Sequence, residues 1–227
     1  QYIANGLTEG ILLVVPLLST EFLDALAKTN YPYVLIDAVD PSGRSSSVNA
    51  TNWEGAYKAT EYLIKLGHKR IAFITGILEL SSSKDRYDGY INALKDYDIP
   101  VDSSLIVKGD FGKGSGYRAS RELLQLENPI TAIFASNDAM ALGAMDAIRE
   151  AGLRIPQDIS IIGFDDIPEA DNTYPKLTTV HQPLEEMGRV GVKLLLEQIE
   201  YPENAQKNIT LATNLIIRDS CQPLMRE

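Results

Sequence analysis

Cysteine, histidine and clustered basic residues are what this 227-residue sequence has least of. Cys221 is its one cysteine and His68 and His181 are its two histidines. An internal disulfide framework is therefore excluded, and the residues are too few and too scattered for metal-ligand spacing. One cysteine also fits a reducing compartment. Against 31 acidic side chains stand 21 Lys and Arg, a formal net charge of −10 with no basic cluster to interrupt it. Such a surface repels phosphate backbones, so this segment by itself is not expected to bind nucleic acid. No apolar run approaches the length that spans a bilayer. The opening QYIANGLTEG lacks the basic-then-apolar pattern of a secretory signal. Internal repeats, heptads and low-complexity blocks are missing too.

What is present is an ordinary globular composition, 44% hydrophobic with 16 Gly and 11 Pro. The length supports one large or two small domains with a real core. Short apolar runs alternate with amphipathic stretches. Strands are expected at Ile11–Val15, Val34–Ile36, Ile71–Ile74, Leu105–Val107, Ala132–Phe134, Ile159–Phe164, Thr178–Val180 and, late, Leu211–Ile217. Between them lie helical patterns. One opens at Thr20; the next carries a Thr51/Glu54 capping box, an Ala56, Ala59, Leu63 and Leu66 face, and Gly67 as its stop. Others present Tyr87, Ile91 and Leu94, run through Leu123 and Leu124, or cover Met140–Glu150 and about Leu184 to Ile199. PSGRSSS (41–47) reads as a loop. Strands at this spacing with intervening helices mean parallel βαβ units and an α/β fold.

Open parallel sheets bind ligands outside the carboxyl ends of their strands. The polar residues expected there are Asp37, the Ser81–Ser83 loop with Arg86, Asp110 beside Phe111, Asn137 with Asp138, and Asp165 with Asp166. Acids and amides take paired hydroxyls and a ring covers an apolar sugar face, so the set suits a small polyhydroxylated ligand. One cation among acids does not suit a phosphate-rich one. Taken singly, each residue has a plainer reading. Asp138 at a helix start reads as an N-cap, Arg86 as a surface ion-pair partner, and Asp165 and Asp166 point to opposite faces of a strand. Taken together at successive strand ends, the binding reading prevails. No catalytic set accompanies it. Gly112-Lys113-Gly114-Ser115-Gly116 has neither P-loop nor dinucleotide spacing, Ser115 is not in a nucleophile elbow, and no cofactor or metal is expected.

Four stretches carry a resemblance: LGHKRIAFITG (66–76), RYDGYINAL (86–94), AIFASNDAMALGAMDAIREAGLRIPQDISIIGFDD (132–166) and LTTVHQPLEEMG (177–188). With them the chain resembles the ligand-binding core of the lac/gal repressor family of bacterial transcription regulators. That resemblance implies a two-lobed, periplasmic-binding-protein-like fold of parallel sheets flanked by helices. Residues 1–48 with 183–207 would form the amino-terminal subdomain, and 49–180 with 209–222 the carboxy-terminal one. GLTEGILLVVP resembles the family's third strand, which implies an amino-terminal lobe lacking its first strand–helix–strand–helix, and a chain without the helix-turn-helix and hinge helix. Carried across by local motif, the ligand residues are Asp37, Ser82, Arg86, Phe111, Asn137 and Asp165, with Asp166 stabilising the turn. The implied role is the effector-binding and dimerisation core of a cytoplasmic, homodimeric regulator. It would reach operator DNA through a domain outside this chain and have no contact with membranes. A sugar is the favoured effector, a nucleobase or nucleoside the second choice. The competing reading is an extracytoplasmic sugar-binding protein that feeds a transporter; LTTVHQP…MG weighs against it.

Overall fold

A computed structural model describes residues 8–14, 20–40 and 43–224. In chain order the first elements are β1 (Ile11–Val14), α1 (Thr20–Lys28), β2 (Tyr33–Ile36), β3 (Ser46–Ala50) and α2 (Asn52–Lys65). Next come β4 (Ile71–Thr75), α3 (Ser81–Asp96), β5 (Ile106–Lys108), α4 (Lys113–Leu123), β6 (Ala132–Ala135) and α5 (Asp138–Glu150). The last are β7 (Ser160–Asp165), α6 (Pro168–Asp171), β8 (Thr178–His181), α7 (Leu184–Glu200), β9 (Asn208–Leu211) and β10 (Asn214–Ile216).

The chain divides into two compact units. One comprises residues 1–51, 80–82 and 183–212, the other 52–79, 83–182 and 213–227. The first is built on a wholly parallel sheet in the order β1-β2-β3-β9. Along β2 the side chains alternate. Tyr33 and Leu35 join Leu23 and Leu26 of α1, while Val34 and Ile36 join Met187 and Leu194 of α7. That period of two puts one helix on each face.

The second unit has the order β10-β8-β7-β6-β4-β5, parallel except for β10. In β4, Ile71 and Phe73 face the cluster that holds Ala56, Ala59 and Leu63 of α2 with Tyr90 and Leu94 of α3. Ala72 and Ile74 face Ala119 and Leu123 of α4 with Met140, Ala144 and Ile148 of α5. Strands buried on both faces read as continuous apolar runs, which is why IAFI, AIF and ISIIGF were legible. The chain steps from β4 out to β5 and then back past it to β6, so the strand order reverses beside β4. The carboxyl ends around such a reversal are where open α/β sheets hold ligands.

Several expectations need correction. The PSGRSSS stretch is not loop to its end: from Ser46 it enters β3, between β2 and β9. Ser46 and Ser47 are buried, but Ser46 Oγ donates to Gln206 Oε1 and Ser47 Oγ to Asn208 Oδ1, both at 2.9 Å. Side-chain hydrogen bonds thus meet the polarity that made the segment look like loop. Leu105 closes a short 3-10 turn (Ser103–Leu105), and the strand starts one residue later. The late strand region is two strands in different sheets, β9 beside β3 and β10 beside β8. The chain changes unit at 212–213, between these two strands. Val15, Pro41 and Ser42 lie outside the described residues.

Candidate ligand site at the carboxyl end of the six-stranded sheet

Arg86 organises the rim of the six-stranded sheet. It enters from α3, which lies close against α2 because residue 89 is glycine: a Cβ there would sit 2.4 Å from the Trp53 carbonyl oxygen. Its Nε donates to Asn52 Oδ1 at the start of α2 (2.8 Å), and its Nη2 to Gln182 Oε1 just past β8 (2.8 Å). Nη1 donates to the Ser136 carbonyl just past β6 (2.6 Å) and lies 3.5 Å from Asp165 Oδ1 at the end of β7. The guanidinium stacks 3.8 Å from the centroid of Phe164. Arg86 is 2% exposed. The plainer reading, a surface ion-pair partner, is therefore wrong for this residue. Five donors in a rigid planar fork are what joining three strand ends at once requires.

Asp165 and Asp166 do different work. Both have positive φ, 111° and 61°, a conformation that costs non-glycine residues energy and persists only where the surroundings hold it. Asp166 is held by Arg218 Nη2 at 2.7 Å and His181 Nδ1 at 3.0 Å. Asp165 is the acid that turns towards Arg86.

Asn137 and Phe111 meet. Asn137 Oδ1 accepts from the Met140 amide (2.9 Å), which makes Asn137 the N-cap of α5, and its Nδ2 donates to the Phe111 carbonyl (3.0 Å). Phe111 also has positive φ, 67°. Its ring lies over Gly76 at the end of β4, where a Cβ would come within 2.3 Å of Cζ. The Ser83 hydroxyl borders the same spot, and the Ser83 and Ser136 hydroxyls are buried without a hydrogen-bond partner. Asp110 stays exposed and caps its own loop through the Gly112 amide (2.8 Å). The Ser115 hydroxyl and that amide hold its carboxyl below the usual range.

Asp138 is not the N-cap expected; that place is Asn137's. It is 0% exposed, accepting from Thr179 Oγ1 (2.5 Å) and from the Ile167 amide (2.9 Å). Burial pushes its carboxyl up to about 7, against the Thr179 and Ile167 hydrogen bonds, and the charge of Asp165 adds to the rise.

Two predicted residues belong to the four-stranded unit. Asp37 follows β2, is 6% exposed with φ 56°, and donates its amide to the Val48 carbonyl at 2.9 Å. Ser82, in the first turn of α3, is buried. A crevice of about 450 Å³ in that unit, lined by Tyr31, Tyr33, Arg44, Gln198 and Gln206, contains none of the candidates. It opens at the amino end of β2, and its one arginine is already paired with Asp24. Sequence reasoning missed Asn52, Ser136, Phe164 and Gln182. Gln182 was within reach, because it follows β8 as Asn137 follows β6. Among the described residues no group of three His, Cys, Asp or Glu could hold a metal ion, and no helix is long and apolar enough to cross a membrane.

Parallel α/β units with a polar rim at the carboxyl strand ends define a periplasmic-binding-protein-like ligand-binding fold. The sequence profile of the periplasmic binding protein-like domain family matches residues 60–221. The probable HTH-type transcriptional repressor ExuR of Bacillus subtilis (strain 168) is 39% identical over 91% of this chain and 62% of its own. The HTH-type transcriptional repressor PurR of Haemophilus influenzae (strain PittEE) is 34% identical over 99% and 68%. Among solved structures, the transcriptional regulator CelR–cellobiose complex is similar at TM-score 0.91, with 34% identity over 96% of this chain and 68% of that one. A LacI family regulator from Enterococcus faecium with bound ribose gives 0.90, with 32% identity over 98% and 83%. The chain belongs to the periplasmic binding protein-like domain family, among the lac/gal-type repressors, a family of regulators rather than enzymes. It spans about two thirds of the length of these curated relatives.

Proposed function

We propose that this chain is the effector-binding part of a dimeric, cytoplasmic transcription regulator that senses a small polyhydroxylated molecule, a sugar before a nucleobase. The observation that carries the reading is the Arg86 cluster, which gathers Asn52, Ser136, Asp165 and Gln182 at one strand-end rim. Acceptors and donors fixed by a buried guanidinium are preorganised for hydroxyl groups, so little ordering cost falls on binding. Asp165 brings a carboxylate, Asn137 an amide and Phe111 a ring, the chemistry that takes up sugar hydroxyls and an apolar sugar face. Relatives whose structures carry cellobiose and ribose favour a sugar, and relatives that are repressors favour regulation over transport. Ligand residues would be Asp37, Ser82, Arg86, Phe111, Asn137 and Asp165.

A thermal-shift screen of the full-length protein against sugars, sugar acids, nucleobases and nucleosides tests this. A compound at a hundred times its Kd stabilises the folded state by about 2.7 kcal/mol. The hit should also change affinity for operator DNA, and Asp165→Asn should weaken it. Stabilisation by no compound of these classes, or a hit that leaves DNA affinity unchanged, would refute the reading.

A further inference from the structure

We propose that Asp138 is the positioning residue of the effector site: from beneath the sheet rim it holds the Asp165–Asp166–Ile167 turn, and so aims the Asp165 carboxylate. The inference rests on the effector reading above, but its geometry stands apart from any ligand. Asp138 is the first residue of α5, where the helix dipole favours an anion. Its Oδ2 accepts from the Ile167 amide, directly after the two positive-φ aspartates, and its Oδ1 accepts from Thr179 of β8. One buried carboxylate therefore joins a helix start, the end of β7 and the neighbouring strand. Room for it exists only because residue 163 is glycine: a Cβ there would lie 2.1 Å from Oδ1. Holding this turn accounts for a fully buried acid here, where an apolar residue would avoid the desolvation cost.

The mechanism has a pH signature. As a carboxylate, Asp138 offers acceptors to Thr179 and Ile167 together, and the Asp166 amide also favours the charged form. Once protonated it must spend one oxygen as a donor and its remaining bonds lose their charge assistance, so the hold on the turn weakens. Burial, with Asp165 nearby, brings that proton uptake to about 7. The other ionisable groups around the turn are Asp165 with Arg86 beside it, Asp166, the His181 and Arg218 side chains bonded to Asp166, and Asp171 next to Arg218. His181 bonds directly to Asp166, so its replacement is the control.

The test uses full-length protein carrying labelled Ile δ1 and Thr γ2 methyl groups. The Ile167 and Thr179 resonances should titrate together, with a midpoint within about one pH unit of 7. The transition should survive His181→Gln and vanish in Asp138→Asn. Resonances flat from pH 5.5 to 8.5, or a transition that persists in Asp138→Asn, would overturn the positioning role. A second arm measures cellobiose and ribose binding by calorimetry at pH 6 and pH 8. If only the carboxylate form is competent, affinity falls about tenfold at pH 6 in the wild type and is level in Asp138→Asn. Titrating methyls with neither sugar bound would count against the sugar reading and leave the positioning intact. Sugar binding over flat methyls, or binding equally tight at both pH values, would do the reverse.

Discussion

Replacing Arg86 by alanine should damage both stability and binding, and the size of the loss can be worked from its contacts. The variant strands Asn52 Oδ1, Gln182 Oε1 and the Ser136 carbonyl, each now paired at 2.6–2.8 Å. It also leaves the Asp165 carboxylate without the cation 3.5 Å away. A buried acceptor deprived of its donor costs about 1–3 kcal/mol, and removing one partner of a buried charge pair costs about 3–5 kcal/mol. These overlap, because the vacated space admits water to some acceptors, and Asp165 keeps a fifth of its side chain exposed. A net loss of about 3–5 kcal/mol is expected, a large share of the roughly 5–15 kcal/mol that holds a protein folded. For a chain of this size that lowers Tm by about 10 °C. Arg86→Lys separates the roles. It keeps the charge near Asp165 but cannot reach three partners in a plane, so it should recover part of the stability and little of the ligand affinity. The assays are urea unfolding and calorimetric titration on the same preparations. An Arg86→Ala protein that melts like the wild type would refute the account of Arg86 as the tie between strand ends.

Three further outcomes follow from the same structure. Asp138→Asn should stabilise the fold at high pH. Below 3.8 the carboxyl is neutral folded and unfolded alike; from there to about 7 the unfolded chain gives up its proton first, so folding stability falls as pH rises. The full cost, at most about 4 kcal/mol, is present above 7, and the variant escapes it. Urea unfolding at pH 5 and pH 8 should show its advantage growing with pH, and a constant difference would contradict the reasoning. Gly89→Ala puts a methyl 2.4 Å from the Trp53 carbonyl, a backbone atom that cannot swing away. It should cost about 1–3 kcal/mol, read as a lower urea midpoint with an unchanged slope. Cys221 should resist maleimide in the folded protein at pH 8. The residue is partly exposed, but its thiol bonds to the Ile161 carbonyl (3.2 Å) and burial pushes it up to about 12. Rapid labelling without unfolding would show that the carboxy-terminal segment opens readily.

Much of the fold was legible along the chain because parallel strands buried on both faces are runs of apolar residues, and the helices between them repeat at 3.6. IAFI, AIF and ISIIGF each announced a strand, and the polar residues that follow marked a rim. Short motifs such as SND and GFDD pointed to the acids that end there. What stayed hidden was whatever depends on residues distant in sequence. Ser46 and Ser47 form strand β3 only because Gln206 and Asn208, 160 and 161 residues on, accept their hydroxyl protons. Arg86 is a buried tie rather than a surface ion pair only because Asn52, Ser136 and Gln182 converge on it from separate elements. Asn137 caps α5 in place of Asp138, and Asp138 fits inward against Thr179 and the Ile167 amide only because residue 163, on another strand, has no side chain. Sequence determined where the apolar central strands and the amphipathic helices lie along the chain, since those patterns depend on neighbours two to four positions away. Tertiary structure alone decided which of two adjacent acids is capped, buried or turned towards the arginine, since that depends on the space and partners other strands supply.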